Sequence, residues 1–284
     1  MTDHAIALRP PRTAAATSRT ALYALLLRDL TVLRKHAVEF VLRTLMQPFL
    51  LAFVFLYVFP LIGQSVGGGG KGASSFASVL VPGVVGISVM FQGVQAVALQ
   101  LSQEFGFTRE IEDRVQGPCP VWLVAVAKVL SGMVQGLIAA VIVFPIAGVV
   151  HAEGVHADLN VHWWVVVTLL PLVCLVFSGL GLLLGCVFEP RNIGLMFGFI
   201  VLPITFLGGT YYQWTRLGAV RVGGFPWLQV LVCVNPLMYV NEGLRGALTN
   251  VEHMHLYVVY AALLGFAALF LAIGIRAFRR RVLS

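Results

Sequence analysis

Six apolar runs dominate the sequence, at roughly 44–63, 76–103, 121–150, 162–188, 192–210 and 255–275. Each approaches or exceeds the ~20 residues that a helix needs to cross a hydrocarbon core about 30 Å thick. A soluble domain of 284 residues could not wrap that much apolar surface. Only 11% of the residues are charged, against about 25% in ordinary globular domains. The expected fold class is therefore all-α and polytopic, with six helices crossing a membrane.

The charges that do occur are grouped. Between Glu104 and Arg114 lie Glu104, Arg109, Glu110, Glu112, Asp113 and Arg114, flanked on both sides by long apolar runs. Ions at mid-bilayer cost several kcal/mol each, so this island stands in water at one membrane face. Its mixed charge predicts a surface that another protein grips. Ahead of the first span, Leu22, Leu26, Leu30, Leu33 and Ala37 recur at spacings of four and three, interrupted by Arg28, Asp29, Arg34 and Lys35. That pattern predicts an amphipathic helix lying in the interface over 20–43, preceded by a disordered tail over 1–19.

Fifteen of the nineteen Lys and Arg residues fall before the first span, in and just after the island, in the turn at Arg191, or in the basic tail over 277–284 and its approach. Lys71, Arg216, Arg221 and Arg245 fall on the other side. By the positive-inside rule both termini and the island are cytoplasmic. The segment 225–234 is apolar but short, and Pro226 and Pro236 bound it. As a seventh span it would also throw the basic tail outside. The region 211–254 is instead expected to be an outer re-entrant hairpin within a transmembrane domain over 44–276.

Several apparent motifs carry no chemistry. GGGGKG at 67–72 lacks the first glycine and the hydroxyl residue of a phosphate loop, so no nucleotide site is expected on this chain. His151, His156 and His162 with Glu153 and Asp158 do not take helical ligand spacing, and no metal site is assigned. Ser178 has no histidine at its depth to act as a base, so no catalytic residue is assigned. Cys119, Cys174, Cys186 and Cys233 show no paired spacing, and most read as small core residues. Gln92, Gln95, Gln100 and Gln135 are the polar groups within the spans, available to line a pathway or to bond across helices. The middle thirds of the spans hold no Asp, Glu or His, which disfavours an ion-coupled carrier or channel and favours energy supplied from outside the membrane. Glu242 and Arg245, three apart, can pair on a helix. With Tyr211, Tyr212, Trp214, Trp227 and Tyr239 they form either an external gate or an interfacial anchor.

Three stretches resemble the permease subunits of ABC transporters of the type-2 export family: GFTREIEDRVQGPCPVWLVAVAKVL in the island, LPITFLGGTYYQW at 202–214 and FPWLQVLVCVNPLMYVNEGLRGAL at 225–248. Gly208-Gly209, the aromatic pair, Asn235-Pro236, Tyr239, Glu242 and Arg245 follow the order of that family's outer region. Gln213-Trp214 departs from it where many members have proline. The resemblance implies a connecting helix, a cytoplasmic coupling helix over 104–120, a second permease and two separate ATPase subunits that hold ATP and Mg. It further implies export of an amphipathic or lipophilic substrate such as a drug, natural product or lipid-linked compound, with a cell-surface glycan or glycolipid as the alternative cargo.

Overall fold

The computed structural model describes residues 14–62, 71–106, 120–149 and 157–283, and among these it contains helices and no strand. In chain order the main helices are α1 (Ala14–Lys35), α2 (Ala37–Val58), α3 (Lys71–Gly106), α4 (Val121–Val149), α5 (Trp163–Val187), α6 (Pro190–Leu207), α7 (Pro236–Leu248) and α8 (Leu256–Leu283). Six segments, within α2 to α6 and α8, are long and apolar enough to span a membrane. The chain is an all-α polytopic membrane protein.

α3 is the centre of the bundle. Within its most apolar window 94% of residues are buried, against 24% in α2, 17% in α6 and 22% in α8. It packs on α4, α5 and α7, and α5 in turn packs on α8. The α3–α5 contact depends on small residues. A Cβ on Gly181 would lie 2.8 Å from the Val94 carbonyl oxygen, and one on Gly185 would lie 3.0 Å from the Ala98 Cα. These two glycines, four apart on one face, let the backbones touch, which is how helices associate where no hydrophobic drive separates protein from lipid. Gly181→Ala should therefore cost about 1–3 kcal/mol by overpacking, read as a lower unfolding midpoint of the purified chain. Gly198→Ala should cost nothing, because among the described residues no atom lies within 4 Å of a Cβ there. Gly194, four residues earlier on α6, likewise meets none of the described residues.

Other boundaries also move. α1 begins at Ala14, inside the stretch expected to be a tail, and ends at a break on His36. Residues 37–43, expected in the interfacial helix, already belong to the helix of the first span. The inward face of α1 holds Leu22, Leu26 and Leu33, while Leu30 points outward and Asp29 takes the inward place beside it. The basic tail expected after residue 276 is the last two turns of α8, with Phe278 buried against Phe105 of α3. Two of the three least buried spans, α2 and α6, each contain a π-helical turn, Phe53–Val58 and Phe197–Val201. Between α6 and α7 the chain forms only short turns, Trp214–Leu217, Trp227–Leu231 and Val232–Val234.

Candidate functional site

Lys128 lies in the second turn of α4, and its side chain is only 3% exposed. A buried ammonium requires a partner. Glu104, near the end of α3, supplies it: the Lys128 Nζ donates to Glu104 Oε1 at 2.6 Å. Asp29 of α1 approaches the same nitrogen at 3.9 Å through Oδ2. One cation thus ties three helices together, just where α3 and α4 run into the segment 107–119. This overturns one expectation. α3 continues as helix through Gly106, so Glu104 is turned inward and buried on Lys128 instead of standing in water with the rest of the island. Arg109, Glu110, Glu112, Asp113 and Arg114 lie outside the described residues.

The ion cluster forms part of the wall of a cavity of about 400 Å³ between α1, α2, α3 and α4. Gln95, Gln100, Gln103 and Gln135 line it together with Arg43 and with the apolar Phe40 and Leu99. Gln92, buried between α2 and α4, accepts from the Thr44 hydroxyl at 3.2 Å and donates to Gln135 Oε1 at 3.4 Å. Of the four glutamines available to line a pathway, Gln92 and Gln135 therefore bond across helices, while Gln95, Gln100 and Gln135 line the cavity. Lys128 and Asp29 were not singled out as partners in the sequence. The available signal was a lone cation eight residues into an apolar helix.

At the other end of the bundle, α7 is built around polar contacts. Asn235 caps it by accepting from the Leu237 amide at 2.9 Å, with Pro236 in the first helical position, where its missing N–H is not needed. The Asn235 side chain also donates to the Ile204 carbonyl at 2.7 Å. Asn241 donates to the Gly208 carbonyl at 2.7 Å and to the Thr210 hydroxyl at 3.1 Å. Arg245 donates to Glu242 Oε1 at 2.7 Å and to the Gly209 carbonyl. Glu242 accepts from the Trp214 amide at 3.0 Å and, through Oε2, from the Met254 amide at 2.8 Å. Both members of the ion pair are 0% exposed. Gly209 has φ +70°, and a Cβ there would run into Met238. The predicted pair exists, and it clamps the end of α6 and the loop after it onto α7.

The aromatic residues assigned to this region separate. Tyr211 packs against Phe55 of α2 with ring centroids 5.5 Å apart, and Tyr239 packs against Phe266 of α8 at 6.1 Å. Tyr212 donates to the Phe206 carbonyl at 3.3 Å, and the Trp214 indole donates to the Gln229 carbonyl at 3.3 Å. Trp227 stands apart, 43% exposed. Gln213, the departure from the family pattern, is extended, buried and accepts from Arg216 Nε at 3.0 Å. It therefore starts the short helix that follows.

Comparison with known proteins agrees with this architecture. The ABC-2 type transporter family model matches residues 20–249, taking in α1 through α7. The chain belongs to the ABC-2 type transporter family. It is 30% identical over 234 residues to the inner membrane transport permease YadH of Escherichia coli K12, covering 80% of this chain and 84% of that protein. The same figures hold for the inner membrane transport permease YadH of Shigella flexneri. This ABC-2 chain is thus a membrane transport subunit, and its clamp and ion cluster both lie within the matched region.

Proposed function

We propose that this permease is the membrane-spanning half of an ATP-driven exporter in an inner or plasma membrane. Two permeases assemble with two separate ATPase subunits, which hold the ATP and Mg, while this chain performs no hydrolysis itself. Both termini and the segment 107–119 face the cytoplasm, in keeping with the distribution of Lys and Arg. The charged side chains Arg109, Glu110, Glu112, Asp113 and Arg114 engage a groove on the ATPase. The observation that carries this reading is the Lys128–Glu104–Asp29 cluster at the root of that segment. A push on the segment is delivered to α1, α3 and α4 as one body, a rigid-body route between two states.

The substrate is an amphipathic or lipophilic molecule leaving the cytoplasm or inner leaflet. The mixed lining of the cavity suits it, with amides for a polar head and Phe40 and Leu99 for an apolar part. A glycan or glycolipid cargo is the second reading. Phe49, Phe53 and Tyr57 stack along α2 with centroids 5.8 and 5.3 Å apart, the kind of surface on which sugar faces lie. Inverted vesicles carrying the permease and its ATPase, offered lipophilic compounds and glycolipids in parallel, test both. ATP-dependent uptake is expected for the lipophilic compounds. Gln95→Leu with Gln100→Leu should lower it about tenfold, the equivalent of two hydrogen bonds at ~0.5–1.5 kcal/mol each. Uptake confined to glycolipids would replace the first reading with the second, and uptake without the ATPase would contradict both.

A further inference from the structure

The final turns of α5 and α8 leave a groove of about 620 Å³ between them. Leu183 and Val187 of α5 and Ile273 and Ala277 of α8 form its apolar wall, with Arg276 and Arg280 beside them. Four residues apart, the two arginines share one face of α8. Val187 and Ile273 are exposed large hydrophobic residues inside two of the candidate spans, so this wall faces lipid. Among the described residues no acidic one lines the groove. Among the described residues neither Arg276 nor Arg280 has a carboxylate partner.

The C-terminal end of a helix ordinarily repels anions, because its last carbonyls carry a partial negative charge. Here that charge is already answered. Arg281 Nη1 donates to the carbonyls of Gly185, Cys186 and Phe188 at 3.0, 2.8 and 2.9 Å, and its guanidinium lies 4.5 Å from the Phe105 ring centroid. The third arginine is thus fixed in place, which leaves the other two to meet a ligand. An apolar wall at the membrane boundary, two cations with no carboxylate partner among the described residues and a neutralised helix end together select a molecule with an acyl chain and an anionic head.

We infer that this groove binds an anionic phospholipid, with its phosphate between Arg276 and Arg280 and one acyl chain along Leu183, Val187 and Ile273. Basic pockets between helices at the membrane surface recognise such headgroups, and each arginine near an anionic surface contributes attraction. The site does not depend on what the transporter exports or on its ATPase. Lipid held there would brace α8 against α5 at the end where Arg281 already joins α3, α5 and α8.

Native mass spectrometry of the full chain, purified in a mild detergent and titrated with phosphatidylglycerol, tests the site. Phosphatidylcholine and glycerol 3-phosphate serve as comparators. Phosphatidylglycerol should be retained in preference to phosphatidylcholine, and glycerol 3-phosphate should not displace it. Arg276→Gln with Arg280→Gln should weaken retention about twenty-five-fold, roughly fivefold per arginine removed. Arg276→Lys with Arg280→Lys should keep most of it. Arg279→Gln removes an equal charge outside the groove and should change retention less than twofold, whereas Arg280→Gln alone should lower it. Equal retention of the two lipids would overturn the inference. So would equal losses in the Arg279 and Arg280 single variants, which would indicate diffuse charge, or full displacement by glycerol 3-phosphate, which would indicate a phosphate site without a lipid.

Discussion

Replacing Glu242 with alanine should destabilise the purified chain by about 3–5 kcal/mol, because it strands the Arg245 guanidinium as a buried cation. The same change removes the acceptor for two backbone amides, those of Trp214 and Met254. Arg245→Met should cost less than Glu242→Ala. It leaves Glu242 still accepting from both amides and removes only the Gly209 carbonyl's donor and the ion pair. A chain carrying both Glu242→Met and Arg245→Met should be more stable than the sum of the single losses predicts, since an apolar pair of similar volume substitutes for a buried ion pair better than either half alone. Thermal unfolding in detergent reads all three. Losses below about 0.5 kcal/mol in both single variants, the range of ordinary surface changes, would show that the pair is not a clamp.

The second large effect is at the opposite end. Lys128→Met should remove the ammonium that Glu104 Oε1 and Asp29 Oδ2 share, at a cost of about 3–5 kcal/mol for a broken buried pair. Adding Glu104→Gln removes one of the stranded charges and should recover part of that loss. The pair of variants also separates stability from coupling. The double variant should fold and insert, yet transport poorly, because α1 is no longer tied to α3 and α4 through Lys128. Full recovery of transport in the double variant would confine the cluster to a structural role.

The six spans were legible in the sequence because span length and apolarity are local properties. Their ends were less so. Glu39 and Arg43 interrupt the hydropathy of the first span without interrupting its helix, so α2 starts at Ala37 and not near Thr44. Glu104 shows how neighbours in sequence mislead. It stands in a run of charges, but the register of α3 turns it toward Lys128, 24 residues away. Nothing in a linear pattern reports that register. Glu242 and Arg245 were legible as a pair through their spacing, but their burial depends on Trp214 and Gly209 arriving from 28 and 36 residues away. Glycines divided in the same way: Gly181 and Gly185 meet backbone, whereas Gly194 and Gly198 meet nothing, and the spacing is four residues in both pairs.

The central claim is that an ATPase in the cell interior drives this permease through the segment after α3. Affinity purification of the tagged full chain from its own membranes, with and without Arg109→Glu and Glu112→Arg together, tests it most directly. The account predicts that a separate ABC ATPase co-purifies in stoichiometric amount with the unaltered chain and is lost from the charge-reversed one, while both insert equally. Absence of any ATPase from the unaltered chain, or its undiminished retention by the charge-reversed chain, would contradict the account.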